Sequence, residues 1–136
     1  MKHYNVVAAV VIEGEKILCV RKGETRYAYT SHKWEFPGGK IEQGETPQQA
    51  LQRELWEEMN LKIAVGEELL TVNHTYPDFS ITMQAFICTA VSKSFTLKEH
   101  EDYSWATLEE LTLLDWCEAD KPIVEAIVNK RNNISN

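Results

Sequence analysis

Three carboxylates, Glu54, Glu57 and Glu58, stand three and four residues apart in a segment, residues 46–60, whose other signals are all helical. Thr46 is a good N-cap, Pro47 suits the first helical position and Gln49 completes a capping box. Leu51, Leu55 and Met59 form a buried stripe, and Asn60 fits the left-handed position at which helices stop. Residues at these spacings face one another, so Glu54 opposes two like charges at a cost of about 0.2–0.5 kcal/mol per pair. Glu57 and Glu58 also occupy the last turn, where the helix dipole disfavours anions. An ordinary solvated run alternates its signs; here only Arg53 interrupts, and it precedes the acids. On a helical wheel Glu54 and Glu58 flank the apolar stripe, which leaves them only partly in water. A hard divalent cation, held by carboxylates, water and substrate phosphates, supplies the missing compensation. The segment reads as half a metal site, directly downstream of a glycine-bearing turn, Pro37-Gly38-Gly39.

The rest of the chain must form one domain around that helix, because 136 residues suffice for a real core and are too few for two domains of typical size. Residues 6–12 and 17–20 are β-branched runs separated by Glu13-Gly14-Glu15, a hairpin. Residues 21–33 are polar and hold Gly23 with several hydroxyl and aromatic side chains, a loop of a length that often covers a site. Trp34-Glu35-Phe36 is a short strand; residues 63–75 and 81–91 are two more, joined through a turn at Pro77-Asp78. Residues 108–114 make a short amphipathic segment, residues 119–129 a second true helix, and the polar tail from Arg131 is expected to fray. Helices separated by strand runs predict an α/β fold, an α/β/α sandwich around a mixed sheet.

Composition narrows the partners. With 14 basic and 21 acidic residues the net charge is −7 and no basic stripe appears, so long nucleic acid is repelled, while a small anion can enter under cover of metal ions. Cys19, Cys88 and Cys117 are odd in number and widely spaced, which argues for buried thiols in a reducing cytoplasm over disulfides or zinc. The apolar stretch near the N-terminus is too short to span a bilayer and has no signal-type cleavage pattern. The reading is a soluble, cytoplasmic protein whose oligomeric state is open.

The polar positions of Gly39-x5-Glu45-x7-Arg53-Glu54-Leu55-x-Glu57-Glu58-Met59-Asn60-Leu61 resemble the Nudix box, with Asn60 where that motif usually has glycine. The flanking run from Lys33 to Glu42 is similar to the MutT branch, the nucleoside triphosphate pyrophosphohydrolases. The resemblance implies the Nudix fold over residues 1–136 and Mg2+ as cofactor, with Mn2+ able to substitute. It implies Glu57 and Glu58 as the principal metal ligands, Glu54 as a ligand or water-orienting base, and the Gly38 carbonyl as a further oxygen. Arg53 and Glu45 become an orienting ion pair in the catalytic set. Glu99, six residues before Trp105, matches a metal-binding glutamate on a mobile loop, and His100 beside it is a secondary candidate as a proton carrier.

For the substrate, Lys22 is the best phosphate contact, with Arg21, Arg26 and Lys40 also within reach of such a role. Phe36, Tyr76 and Phe79 offer flat apolar faces for a base, and Asp78 a hydrogen-bond acceptor. Asp120 falls where oxidised-guanine sanitisers carry a base-reading asparagine. An ionised aspartate only accepts hydrogen bonds, which points toward the exocyclic amine of cytosine or the N–H groups of guanine, and toward the cytidine branch. The expected activity is Mg-dependent hydrolysis of a (deoxy)nucleoside triphosphate, cytidine-type or oxidised, to the monophosphate and pyrophosphate. Two alternatives stay open: another nucleoside diphosphate-linked substrate, and a nucleotide-sensing module without turnover. His3, His32 and His74 show no pairing pattern and are assigned no role.

Overall fold

The computed structural model describes residues 1–92 and 95–135, with side chains through Lys130. Its spine is β1 (Lys2–Glu13), which runs parallel to β6 (Phe79–Ala90) from Lys2↔Phe79 to Val11↔Cys88 and turns through Gly14 into the antiparallel β2 (Lys16–Lys22). β5 (Ile63–Thr75) pairs antiparallel with β6 on the far side, while β3 (Trp34–Glu35) and β7 (His100–Ala106) flank β2. One parallel pairing among antiparallel ones makes the sheet mixed, as expected. Successive residues of β1 face opposite ways: Val7, Ala9 and Val11 pack with Leu51, Leu55 and Met59 of α1 (Pro47–Met59), whereas Ala8 and Val10 belong to the core that holds Ile123, Val124 and Ile127 of α3 (Lys121–Ser135). The result is an α/β/α sandwich with α1 on one face and α3, with the short α2 (Leu108–Leu111), on the other.

Three expectations change. Pro37-Gly38-Gly39 is not a turn: Gly38–Lys40 forms β4, antiparallel to β1 with Ala8↔Gly38. A side chain at Gly38 would collide with the Val7 carbonyl, so the glycine allows the close approach that makes the ladder. Residues 97–105 are not a loop throughout, because His100–Ala106 pairs with β2 in the register Leu18↔Trp105 and Val20↔Tyr103. The tail from Arg131 continues as helix to Ser135, since neither glycine nor proline interrupts it; Asn136 lies outside the described residues. Cys19, Cys88 and Cys117 are free and buried, and no helix among the described residues is long and apolar enough to cross a membrane.

Candidate active site

The helix that carries the acids is built as its sequence demands. The Thr46 side chain accepts from the Gln49 N–H, Gln49 returns the bond to Thr46, and Asn60 closes the helix at φ 53°. Inside this frame the four acids of the motif separate into two groups. Arg53 grips Glu45 with two bonds, 2.7 Å from Nε and 3.0 Å from Nη2, and its Nη1 reaches Glu54 at 3.0 Å and Glu57 at 3.1 Å. A further bond at 2.9 Å to the Lys40 carbonyl ties the guanidinium to β4. The expectation that Arg53 leaves the acids uncompensated is therefore wrong for Glu54 and Glu57, because the long side chain reaches both neighbours.

Glu58 is the exception. Its side chain is on the core side of the helix, only 6% exposed, and its buried Oε2 has no hydrogen-bond partner among the described residues. Burial first, then Glu35, Glu54 and Glu99, pushes its carboxyl up to about 10. Glu57, by contrast, is half exposed. A side chain at Gly39 would meet the Glu54 carboxylate, which would have to move aside.

Glu58 lies at one end of a cleft of about 610 Å3 shared with Gly38, Gly39 and Glu99. The segment bearing Glu99 is docked, not free: the Thr96 and Lys98 N–H groups donate to the Met59 and Glu58 carbonyls at 2.8 and 3.0 Å, capping the helix end. The other end of the cleft holds Phe36, Tyr76, Phe79 and Asp120. The 3-10 turn Glu118–Asp120 leads into α3 and buries Asp120 to 5% exposure, where its Oδ1 accepts the Phe36 N–H at 2.9 Å. The Ala119 N–H donates to the Tyr76 hydroxyl at 3.0 Å, fixing that ring beside it.

A NUDIX domain profile matches residues 1–127. The chain belongs to the Nudix family. It is 31% identical over 131 residues to the CTP pyrophosphohydrolase of Escherichia coli (strain K12), covering 96% of each protein. It is 30% identical over 125 residues to the 8-oxo-dGTP diphosphatase of the same strain, covering 91% of this chain and 95% of that one. The solution structure of the E. coli ORF135 protein superposes with a TM-score of 0.81 at 30% identity, over 96% of this chain and 92% of that one.

Within this Nudix fold the candidate residues do not all converge. Lys22 lines the cleft with its ammonium 3.6 Å from Glu35, whereas Arg21, its neighbour on β2, faces the other way: it pairs with Glu101 at 2.6 Å and lies over the Trp34 ring. Arg26 and Lys40 line the cleft, over the rings of Tyr27 and Tyr4. Asp78 is set back from it, with its carboxylate accepting the Tyr29 hydroxyl at 2.8 Å. Burial, then Glu35, also raises the Asp120 carboxyl well above its ordinary range. A carboxyl that keeps its proton offers a donor and an acceptor as asparagine does, whereas the ionised form only accepts.

Glu35 was not singled out from the sequence, yet it is central. It forms an ion pair with Lys22 at 3.6 Å, lies 3.1 Å from the buried His100 Nε2, and raises both Glu58 and Asp120. The available signal was a carboxylate between two aromatics on a two-residue strand. The 23–33 loop, expected only to cover a site, lines the cleft with Gly23, Thr25, Tyr27 and Thr30.

The donor chemistry suits a hard divalent cation: carboxylate oxygens, one of them buried and without a partner, next to a glycine backbone. Among the described residues no three acidic, histidine or cysteine side chains are already gathered to hold an ion. Arg53 Nη1 holds Glu54 and Glu57 on one side of the helix end.

Proposed function

We propose that this chain is a Mg2+-dependent pyrophosphohydrolase, with Mn2+ able to substitute, that converts a (deoxy)nucleoside triphosphate to the monophosphate and pyrophosphate. Cytidine-type or oxidised nucleotides are its substrates, and removal of modified nucleotides from the pool is its role. The observation that carries this reading is Glu58, a buried carboxylate with an orphaned oxygen, at one end of a cleft whose other end offers aromatic rings and a buried hydrogen-bonding acid. A relative named CTP pyrophosphohydrolase and another named 8-oxo-dGTP diphosphatase, each matched over more than nine-tenths of its length, support the substrate class. The three buried free thiols suit a reducing cytoplasm.

Glu54, Glu57, Glu58, Glu99 and the Gly38 carbonyl are the groups that would hold the metal, which when bound neutralises polyphosphate charge and makes water a better nucleophile. The chain's own residues do the rest. Arg53, clamped by Glu45, fixes the direction of Glu54, which orients the attacking water and takes its proton. The water oxygen bonds to the β-phosphorus, the bond from that phosphorus to the α–β bridging oxygen breaks, and the monophosphate leaves. Lys22 meets phosphate charge, Phe36, Tyr76 and Phe79 flank the base, and Asp120 reads its edge.

Hydrolysis in 18O-water tests the reaction: label is expected in pyrophosphate, and label found only in the monophosphate rules out attack at the β-phosphorus. A kcat/KM panel over CTP, dCTP, 5-methyl-dCTP, dGTP and 8-oxo-dGTP tests the substrate. A strong preference for 8-oxo-dGTP over every cytosine nucleotide defeats the cytidine assignment.

A further inference from the structure

Residues 23–33 form a strap closed at its base by Lys22 N–H to Lys33 carbonyl and His32 N–H to Gly23 carbonyl bonds of 2.9 and 3.2 Å. Inside it the Thr25 hydroxyl donates to the Tyr27 carbonyl at 2.8 Å and meets the hydroxyls of Thr30 and Ser31 at 2.7 and 3.0 Å. These bonds tie the strap to itself along its length, so a contact at its tip bears on the placement of the whole. That contact is aromatic and polar at once. Tyr29 stacks between Tyr27 (centroids 5.1 Å, 12°) and Tyr76 (5.4 Å, 19°), and Tyr27 and Tyr76 both lean on Phe79, at 5.6 and 5.0 Å. The Tyr29 hydroxyl donates to Asp78 at the turn between β5 and β6. Tyr27, Tyr76 and Phe79 line the cleft; Tyr29 lies behind them.

We propose that Tyr29 is a positioning residue for substrate binding: its hydroxyl, held by Asp78, pins the strap to the β5–β6 turn so that the Tyr27 ring completes the wall on which the flat base of a nucleotide stacks. The inference rests on the nucleotide-hydrolase reading above and moves Asp78 from base acceptor to strap anchor. Aromatic faces hold bases by stacking, and a wall fixed before binding spares the substrate the cost of ordering it. Losing the latch therefore weakens binding while leaving the metal end of the cleft as it was.

The test compares Y29F, D78A and the double variant with the parent protein. Calorimetric binding of CMP and dGMP to the metal-free protein is read beside steady-state turnover, so the strap is judged apart from chemistry. Each single variant is expected to raise Kd and KM about three- to tenfold, the scale of one lost hydrogen bond, with kcat within about twofold. The double variant should be no worse than either single one, as one shared bond requires. Trypsin cleavage after Arg26, exposed in the strap, should accelerate in all three. Parent-like binding and KM in Y29F and D78A, or additive losses in the double variant, overturn the proposal while leaving the hydrolase reading standing. A parent protein that turns over nucleoside triphosphates no better than a blank removes the hydrolase reading alone, and one that also binds no nucleotide removes both.

Discussion

Glu58 and Asp120 sit at opposite ends of one cleft and are equally withdrawn from water, 6% and 5% exposed, yet their surroundings leave them in different conditions. Both are pushed toward the neutral form by burial and then by Glu35. Asp120 has a partner, the Phe36 N–H. Glu58 has an oxygen with no partner. A buried acid with a partner can meet a neutral ligand by hydrogen bonding; one with an orphaned buried oxygen beside other acids favours a cation. The contrast with Glu54 and Glu57 sharpens the point, because Arg53 serves those two and stops short of Glu58.

The largest effect is expected from Glu58→Gln, which removes the charge and leaves the shape. Turnover should fall at least about a thousandfold, the scale on which lost metal-assisted charge stabilisation is felt. The same change should stabilise the metal-free protein above pH 5. A carboxyl whose folded value is raised keeps its proton in the native state while the unfolded chain releases it. Stability is therefore lost as pH climbs from the unfolded value, about 4.3, until the native group also ionises near 10. Thermal unfolding without metal at pH 8 should show the variant higher by about 3 °C or more, the shift that roughly 1 kcal/mol produces in a domain of this size. A variant that is inactive and no more stable would mean that Glu58 carries no buried strain in the free protein.

At the other end, Asp120→Asn fixes a donor and an acceptor in place of a group that can ionise. The ratio of kcat/KM for cytosine over 8-oxoguanine nucleotides should move toward 8-oxoguanine by about tenfold, one mispaired buried hydrogen bond. Any pH dependence of that ratio should flatten, because the asparagine does not ionise. An unchanged ratio with an unchanged profile would remove Asp120 from base reading and leave the aromatic wall as the source of discrimination.

How much of this could be read beforehand depended on how local each cause was. The acid-bearing helix was legible to the residue because Thr46, Gln49 and Asn60 act within a turn of themselves. The Arg53–Glu45 pair was legible from the motif. β4 was not: two glycines and a lysine have no strand preference, and only the ladder offered by β1 makes them extended. β7 was hidden likewise, an acidic run recruited by the edge of β2. The strap's Tyr29 and Glu35 were invisible for a third reason, since their partners Asp78 and His100 lie 49 and 65 residues away in sequence and nothing nearby marks the pairing.

Glu35→Gln gives the smallest effect and the most direct test of the comparison, because Glu35 is a charge that acts on both ends. A glutamine still accepts from Lys22 or His100, so the strands it links stay joined, while the negative charge felt by Glu58 and Asp120 disappears. The pH at which the native Glu58 carboxyl ionises should fall by about one unit, the scale of a single nearby charge screened by cleft water. It can be followed by 13C resonances of the glutamate carboxyls in the metal-free protein. The loss of stability between pH 5 and 10 should become shallower in step. If the Glu58 resonance titrates as in the parent, the two acids are governed by burial alone, and the cleft is two independent sites that happen to share a wall.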